Sequence, residues 1–328
     1  KQGAYVAKTM MDNEIAEKLD IEQLFSSSKL FNIADLGCSI GPNTFTVVQS
    51  IIDAVEFKYR SSGLSSSNIE FQVYFNDQTT NDFNTLFRSL PLERRYFASG
   101  VPGTFYGRLF PKASLQFVHS SYGVHWLSKI PNQVVDENPG RIHYRTKEVE
   151  EAFASQFAAD MKSFLQARAE EIVCGGLMAL LVCGLPSTTN LSKCSIVVLY
   201  EIFGCCFLDM VKMGLIEEAK VDSFNIPIYY ARKEELETLI QNNGCFDIER
   251  MEVLPRLMHE ATTLEAKKFI LMLRAACEVL ICEHFGAQII EELFQRFYEK
   301  IIESGMLWDS NYMPFVDIFL LLKRKVTK

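Results

Sequence analysis

The chain has 328 residues, with 33 Lys+Arg against 41 Asp+Glu, and 48% of its residues are apolar. The resulting formal charge of −8 excludes a general nucleic-acid surface, which needs an excess of cations to neutralise phosphates. An apolar content near half, including 25 phenylalanines, excludes disorder and suits one large α/β domain or a domain with a substantial insertion.

No apolar run reaches the roughly 20 residues of a bilayer helix, and the longest, Ser195–Leu208, carries Glu201. The sequence opens at Lys1 with neither an initiator Met nor a signal-peptide pattern, and the expectation is that part of the N-terminus precedes it. Nine cysteines, at 38, 174, 183, 194, 205, 206, 245, 277 and 282, form no C-x-x-C pair. Their mostly apolar context predicts buried, reduced thiols in a cytoplasmic protein instead of a disulfide framework. Five scattered histidines offer no zinc pattern.

In chain order, Phe31, Ile33 and Leu36 lead into a Gly-rich turn, after which Phe45, Val48, Ile51, Ile52 and Val55 recur at helical spacing. This predicts strand, turn and helix, with Asn43 or Thr44 as N-cap. Leu64–Asn68 is a Ser/Gly surface loop. Ile69–Asp77 alternates as a strand ending in an acid, and Asp82–Leu90 is a short helix stopped before Pro91. Leu115–His119 is a third strand and Gly176–Cys183 a fourth, joined by a long helix over Thr146–Val173. Alternating strands and helices predict a largely parallel sheet with its ligand site at the carboxyl ends. The second half carries helices over Leu191–Met213, Ala261–Glu283 and Ala287–Ser304. A helix over Glu234–Asn243 and strands over Phe246–Leu254 and Phe315–Lys323 complete the pattern, with no internal repeat.

Two constellations carry chemistry. The segment Asp35–Asn43 holds Gly37 and Gly41 but is not G-x-G-x-x-G, and Pro42 and Asp35 crowd the place where a pyrophosphate would sit. Asp77, ending the next strand, can accept hydrogen bonds from a ribose diol. A nucleoside cofactor such as S-adenosylmethionine, a dinucleotide and a purely structural turn all remain open at this point. The second constellation, His119–Trp126, lies just past a strand end with Tyr122 inside it, so it reads either as core packing or as a binding turn. No G-x-S-x-G elbow marks a Ser-His-Asp triad.

Five segments then resemble one family in register: ADLGCSIGPNT (34–44), FNDQTTNDFNTLF (75–87), GVPGTFYGRLFP (100–111), SSYGVHWLSKIP (120–131) and VDSFNIPIYYA (221–231). Together with LICEHFG (280–286), they resemble the plant SABATH methyltransferases from about residue 5 to the end. The resemblance implies methyl transfer from S-adenosylmethionine to the carboxylate of a small metabolite, or alternatively to a ring nitrogen of a xanthine or pyridine acceptor. A non-catalytic cofactor-binding protein and a nicotinamide dehydrogenase are the competing classes.

The implied fold is α/β, a Rossmann-like methyltransferase sheet of seven mostly parallel strands with an α-helical cap. Residues 1–189, completed by 223–255 and 309–328, form the core, and 190–222 with 256–308 form the cap. The resemblance assigns Asp35, Gly37, Cys38, Asn43, Asp77, Thr104 and Phe105 to the cofactor. It assigns Tyr122, His125, Trp126, Leu199, Tyr200, Leu273, Ala276 and Phe315 to the acceptor, with no residue acting as acid or base. Asn138, Asp222, Phe224 and Asn225 match a divalent-ion site, for which Mg²⁺ or Ca²⁺ suits the oxygen ligands; the alternative is a capped loop. A family Gln that grips the substrate falls just ahead of Lys1, so Gln2 is not assigned that role. The loop Asp136–Arg141 is shorter than the family pattern. A homodimer without nucleic-acid or membrane partners completes the expectation.

Overall fold

The computed structural model describes residues 2–25, 29–63, 69–132, 134, 138–143, 146–187, 190–255, 263–309 and 311–326. The loop expected at 64–68, residues 136 and 137 of the loop before Arg141, and 256–262 of the second cap piece lie outside them, as does the side chain of Gln2.

The first half builds a sheet from β1 (Leu30–Leu36), β2 (Glu70–Asp77), β3 (Phe97–Pro102), β4 (Leu115–Ser121) and β5 (Ile172–Leu185). Two-residue β6 (Ala231–Arg232), β7 (Phe246–Pro255) and β8 (Val316–Arg324) complete it. The order is β3-β2-β1-β4-β5-β8-β7, with β6 pairing off this path against β5. Pairs among β1 to β6 are parallel, whereas β8 runs antiparallel to both β5 and β7. The seven-stranded, mostly parallel sheet expected from the sequence is therefore present, with β6 as an addition.

Helices cover both faces. On one side lie α1 (Gln2–Lys18), α2 (Ile21–Leu24), α3 (Pro42–Ser61) and α4 (Phe83–Arg88), packed in a cluster with Phe31, Ile33, Phe71 and Phe75. On the other lie α5 (Lys147–Glu171) and, after β6, α8 (Lys233–Asn243), which bury Phe153, Phe157, Phe164 and Leu236 against Val118 and Leu320. Between β5 and β6 the chain forms α6 (Ser195–Lys212) and α7 (Glu218–Asp222). After β7 it forms α9 (Thr263–Phe285) and α10 (Ile290–Ser304). These four share a separate cluster in which Phe203, Phe207, Phe224, Phe285 and Phe297 meet.

Three details differ from the sequence reading. The N-cap of α3 is Gly41, not Asn43 or Thr44, because Pro42 occupies the first helical position and its missing N–H costs nothing there. Asn43 is thereby left exposed in the first turn. Strand β3 was not expected: FASGVP has no apolar alternation, being a half-exposed edge. Its end is held by Asn76 Nδ2, which donates to Val101 O at 2.7 Å and Gly103 O at 2.9 Å. Helix α1 was also unassigned; Met10, Met11 and Ile15 bury into the α3 side.

Candidate functional site

The chain runs outward from β1 through β2 to β3, then returns to place β4 on the other side of β1. The resulting switch point between β1 and β4 opens a crevice at the carboxyl ends of the strands, where open α/β sheets bind ligands. Both sequence constellations end there, because Asp35 on β1 and His119 on β4 are register partners.

The Gly loop leaves β1 with Gly37 at φ 80°, in the left-handed region that glycine adopts without strain. Gly37 and Cys38 donate their backbone N–H groups to Asn76 O at 2.9 and 3.0 Å, tying the loop to β2. At the end of β2, Asp77 Oδ2 accepts from Ser39 N at 2.7 Å and Oδ1 from Gln78 N at 2.8 Å. Burial raises the Asp77 carboxyl above its ordinary range, while these two N–H groups oppose the shift. Cys38 is buried, and desolvation with the nearby Asp35 and Asp77 pushes its thiol up, so it is an apolar lining group with little thiolate character.

Phe105 packs at the bottom of the crevice. A Cβ built on Gly37 would lie 3.9 Å from its ring and 3.6 Å from Gly123 Cα, so the loop and the β4 turn touch at this point. Gly123 has no room for a side chain, since its Cβ would lie 2.7 Å from Ser120 Oγ. Thr104 is exposed, and its Oγ1 accepts from Tyr106 N at 3.3 Å.

Beyond β4 the chain turns at Tyr122, whose φ is 56°, and enters the His125–Trp126 turn. That turn is pinned from three directions. Tyr229 N donates to His125 O at 2.9 Å, Leu127 N to Pro227 O at 2.6 Å, and the Tyr106 hydroxyl to Trp126 O. His125 is buried and stacks with Tyr230 at 6.1 Å, while Trp126 is half-buried against the cap cluster. Leu199, Tyr200, Leu273 and Phe315 belong to that same cluster. Ala276, three residues after Leu273 on α9, is exposed.

The four residues expected at an ion site fall on and around α7. Asn138 and Asn225 are both buried, and Asn138 Nδ2 donates to Asn225 Oδ1 at 2.8 Å. Phe224 is buried, and Asp222 ends the helix close to Gly140. Asn138 Oδ1 is buried with no hydrogen-bond partner among the described residues. That oxygen is the one feature of the donor set that an oxygen-seeking cation would satisfy.

Four groups at the site escaped the sequence reading. Arg168 and Glu171, on the last turn of α5, form an ion pair with no side-chain exposure. Arg168 donates to Phe105 O and Gly107 O, each at 2.9 Å, and Glu171 Oε1 accepts from Leu109 N at 2.5 Å and Phe110 N at 2.9 Å. The pair thus clamps the segment that carries Thr104 and Phe105. A charged pair near the end of an otherwise apolar helix stripe was the available signal. Against α6, the His143 ring stacks on Tyr200 at 4.3 Å and donates from Nε2 to Ile228 O at 3.0 Å. Burial pushes its imidazole down to about 3. Tyr230 meets the Tyr200 hydroxyl at 3.0 Å.

The profile of a family described as SAM dependent carboxyl methyltransferase matches residues 1–325. Loganic acid O-methyltransferase of Catharanthus roseus is 44% identical over 97% of this chain and 88% of its own length. Farnesoic acid carboxyl-O-methyltransferase of Arabidopsis thaliana is 40% identical over 92% of this chain and 88% of its own. A solved structure of loganic acid methyltransferase with SAH superposes at a TM-score of 0.92 with 43% identity, covering 99% of this chain and 94% of that one.

Proposed function

The chain belongs to the family of S-adenosylmethionine-dependent carboxyl methyltransferases, and on that premise we propose how its residues divide the work and what acceptor they take. The reading is that Asp35, Gly37, Cys38, Asn43, Asp77, Thr104 and Phe105 hold the cofactor. Tyr122, His125, Trp126, Leu199, Tyr200, Leu273 and Phe315 shape a cavity for a small, largely apolar carboxylic acid; Ala276, exposed on α9, is left out of it. The observation that carries it is the meeting of the Gly loop and the His125–Trp126 turn at one switch point, with Asp77 at the neighbouring strand end.

S-adenosylmethionine supplies a methyl group already activated on a sulfonium. An acceptor carboxylic acid with a pKa near ~4 is about 99.9% ionised at pH 7, so no general base is needed. The protein therefore positions and dehydrates. The Trp126 indole N–H and the buried tyrosine hydroxyls orient one carboxylate oxygen and leave the other to attack in line. Such alignment supplies about 7–11 kcal/mol of a barrier. The Arg168–Glu171 clamp supports it by fixing the Phe105 backbone. A chain of charge −8 captures an anion through local neutral donors, which agrees with the cap's lining of aromatic and aliphatic side chains.

Incubation with labelled S-adenosylmethionine and a panel of small acids is the test. An alkali-labile methyl ester is expected; an alkali-stable product would move the reading to N-methylation. The further expectations are supported more narrowly. The division into core (1–189, 223–255, 309–328) and cap (190–222, 256–308) is favoured by α6, α9 and α10 sharing one apolar cluster, which Phe224, Ile226, Ile228, Tyr230 and Phe315 join from the core side. Free thiols at all nine cysteines favour the cytoplasm. Exposed Leu264, Leu271, Met272 and Val279 on α9 favour a homodimer, which sedimentation at two concentrations would reveal. The buried Asn138 oxygen favours Mg²⁺ beside Asp222, in a structural place with no part in the methyl transfer.

A further inference from the structure

The sequence has no nucleophile elbow, yet the fold lines up a carboxylate, an imidazole and a hydroxyl across the switch point. Asp35 Oδ1 lies 2.7 Å from His119 Nδ1, and Ser121 Oγ lies 3.0 Å from His119 Nε2. The other oxygen of Asp35 accepts from the Thr44 hydroxyl in the first turn of α3. Asp35 and His119 are 3% and 7% exposed, so the row lies beneath the crevice.

This row is not a hydrolytic triad. The residue in the left-handed region is Tyr122, one position beyond Ser121, and Ser121 itself is paired within the sheet to Leu181. A nucleophile elbow needs its serine on the strained turn between a strand and a helix. The two ends of the row matter more. At one end Asp35 precedes Gly37 and, through Thr44, reaches the start of α3. At the other, Ser121 precedes the turn that carries Tyr122, His125 and Trp126. A carboxylate only accepts, so Nδ1 donates to Asp35, and Nε2 is left to meet the Ser121 hydroxyl.

We propose that His119 is a positioning residue that joins the two half-sites, holding the Asp35 carboxylate behind the cofactor loop through Nδ1 and the acceptor turn behind Ser121 through Nε2. This rests on the division of cofactor and acceptor residues given above. Binding of one ligand thereby stiffens the frame of the other.

The two ring nitrogens can be tested apart. The amide nitrogen of His119→Asn falls near Nδ1 and keeps the donor to Asp35, while the longer His119→Gln reaches the Nε2 place and keeps a partner for Ser121. Calorimetry without acceptor should give His119→Gln an S-adenosylmethionine Kd weaker by about ten- to a hundredfold, the value of a charge-assisted hydrogen bond. His119→Asn should stay within about threefold in Kd but raise acceptor KM by about tenfold, at saturating cofactor. Ser121→Ala should raise acceptor KM severalfold while Tm and cofactor Kd hold, and it carries the test should either His119 variant not fold. Equal weakening of both ligands by both His119 variants, or an unchanged KM in Ser121→Ala, overturns the link. Asp77→Ala is the control: a full-strength cofactor Kd in that variant would overturn the underlying division of residues, whereas its loss with no split at His119 overturns the link alone.

Discussion

The proposed cofactor side and the proposed cap side of this crevice are held by different forces. The cofactor side is built from strand ends, backbone N–H groups and buried polar rows: Asp35 with His119, Asn76 with β3, and Arg168 with Glu171. Each bond is directional, so each position tolerates little change. The cap side is apolar packing, in which Phe203, Phe207, Phe224, Phe285 and Phe297 meet, with hydrogen bonds at Tyr200, Tyr230 and His143. Apolar packing constrains total size more than identity. One fold can therefore keep its methyl donor fixed while its acceptor changes with the cap's side-chain volumes.

The largest expected effect attacks the directional side. Arg168→Met leaves Glu171 as an uncompensated buried charge and should cost about 3–5 kcal/mol of stability in denaturant unfolding. An effect under about 1 kcal/mol would show that the clamp is dispensable and the contrast overstated. Next, Asp77→Ala should weaken S-adenosylmethionine about a hundredfold, roughly 2.7 kcal/mol, with acceptor KM little changed. Because burial raises the Asp77 carboxyl, cofactor affinity in the wild type should begin to fall at a higher pH than for an ordinary carboxylate.

His143 exposes the cap to acid. Its folded pKa, pushed down to about 3, lies below the unfolded value near 6.5, so the unfolded chain binds the extra proton. Stability from this group is full above about 6.5 and is lost as pH falls from there toward 3, by up to ~1.4 kcal/mol per unit. His143→Gln should flatten the difference between unfolding curves at pH 7 and pH 5.5; parallel curves would remove His143 as the cause. Trp126→Ala should raise acceptor KM about tenfold and lower kcat with cofactor Kd unchanged, the KM change alone being a loss of ~1.4 kcal/mol. Turnover untouched by that change would place the acceptor elsewhere. The smallest effect is a rise in Tm of a few degrees on adding Mg²⁺, absent in Asn138→Ala.

What the sequence disclosed follows the same division. Phe31–Leu36, the Gly turn and the strand ending at Asp77 were legible because alternation, glycine and a terminal acid are local signals. Strand β3 was hidden because its order comes from Asn76 and β2, not from its own alternation. The start of α3 moved to Gly41 because Pro42 supplies a first helical residue that needs no side-chain cap. Arg168 and Glu171 left only the faint signal of a charged pair at a helix end, and His143 left none, since their roles depend on backbone carbonyls and amides brought from other segments. Ala276 was placed on α9 as the family pattern implies, but its exposure depends on the packing of that helix, which no local pattern encodes.

The antiparallel strand β8 has a further consequence, for the order in which the molecule can be made. It lies between β5 and β7 and is the one long strand that β7 pairs with, and Ile318, Leu320, Leu321 and Leu322 are fully buried there. During synthesis, β7 has no ladder to join until residues 316–324 leave the ribosome. Until then the apolar face of β5 toward β8 stays open as a sticky edge. The catalytic crevice and the sheet edge thus mature at different moments. The loops at Gly37 and Tyr122 can come together once β4 and β5 are out, long before the sheet that supports them is closed. A chaperone that holds the growing chain would meet it at β5 and β7, away from the loops at Gly37 and Tyr122.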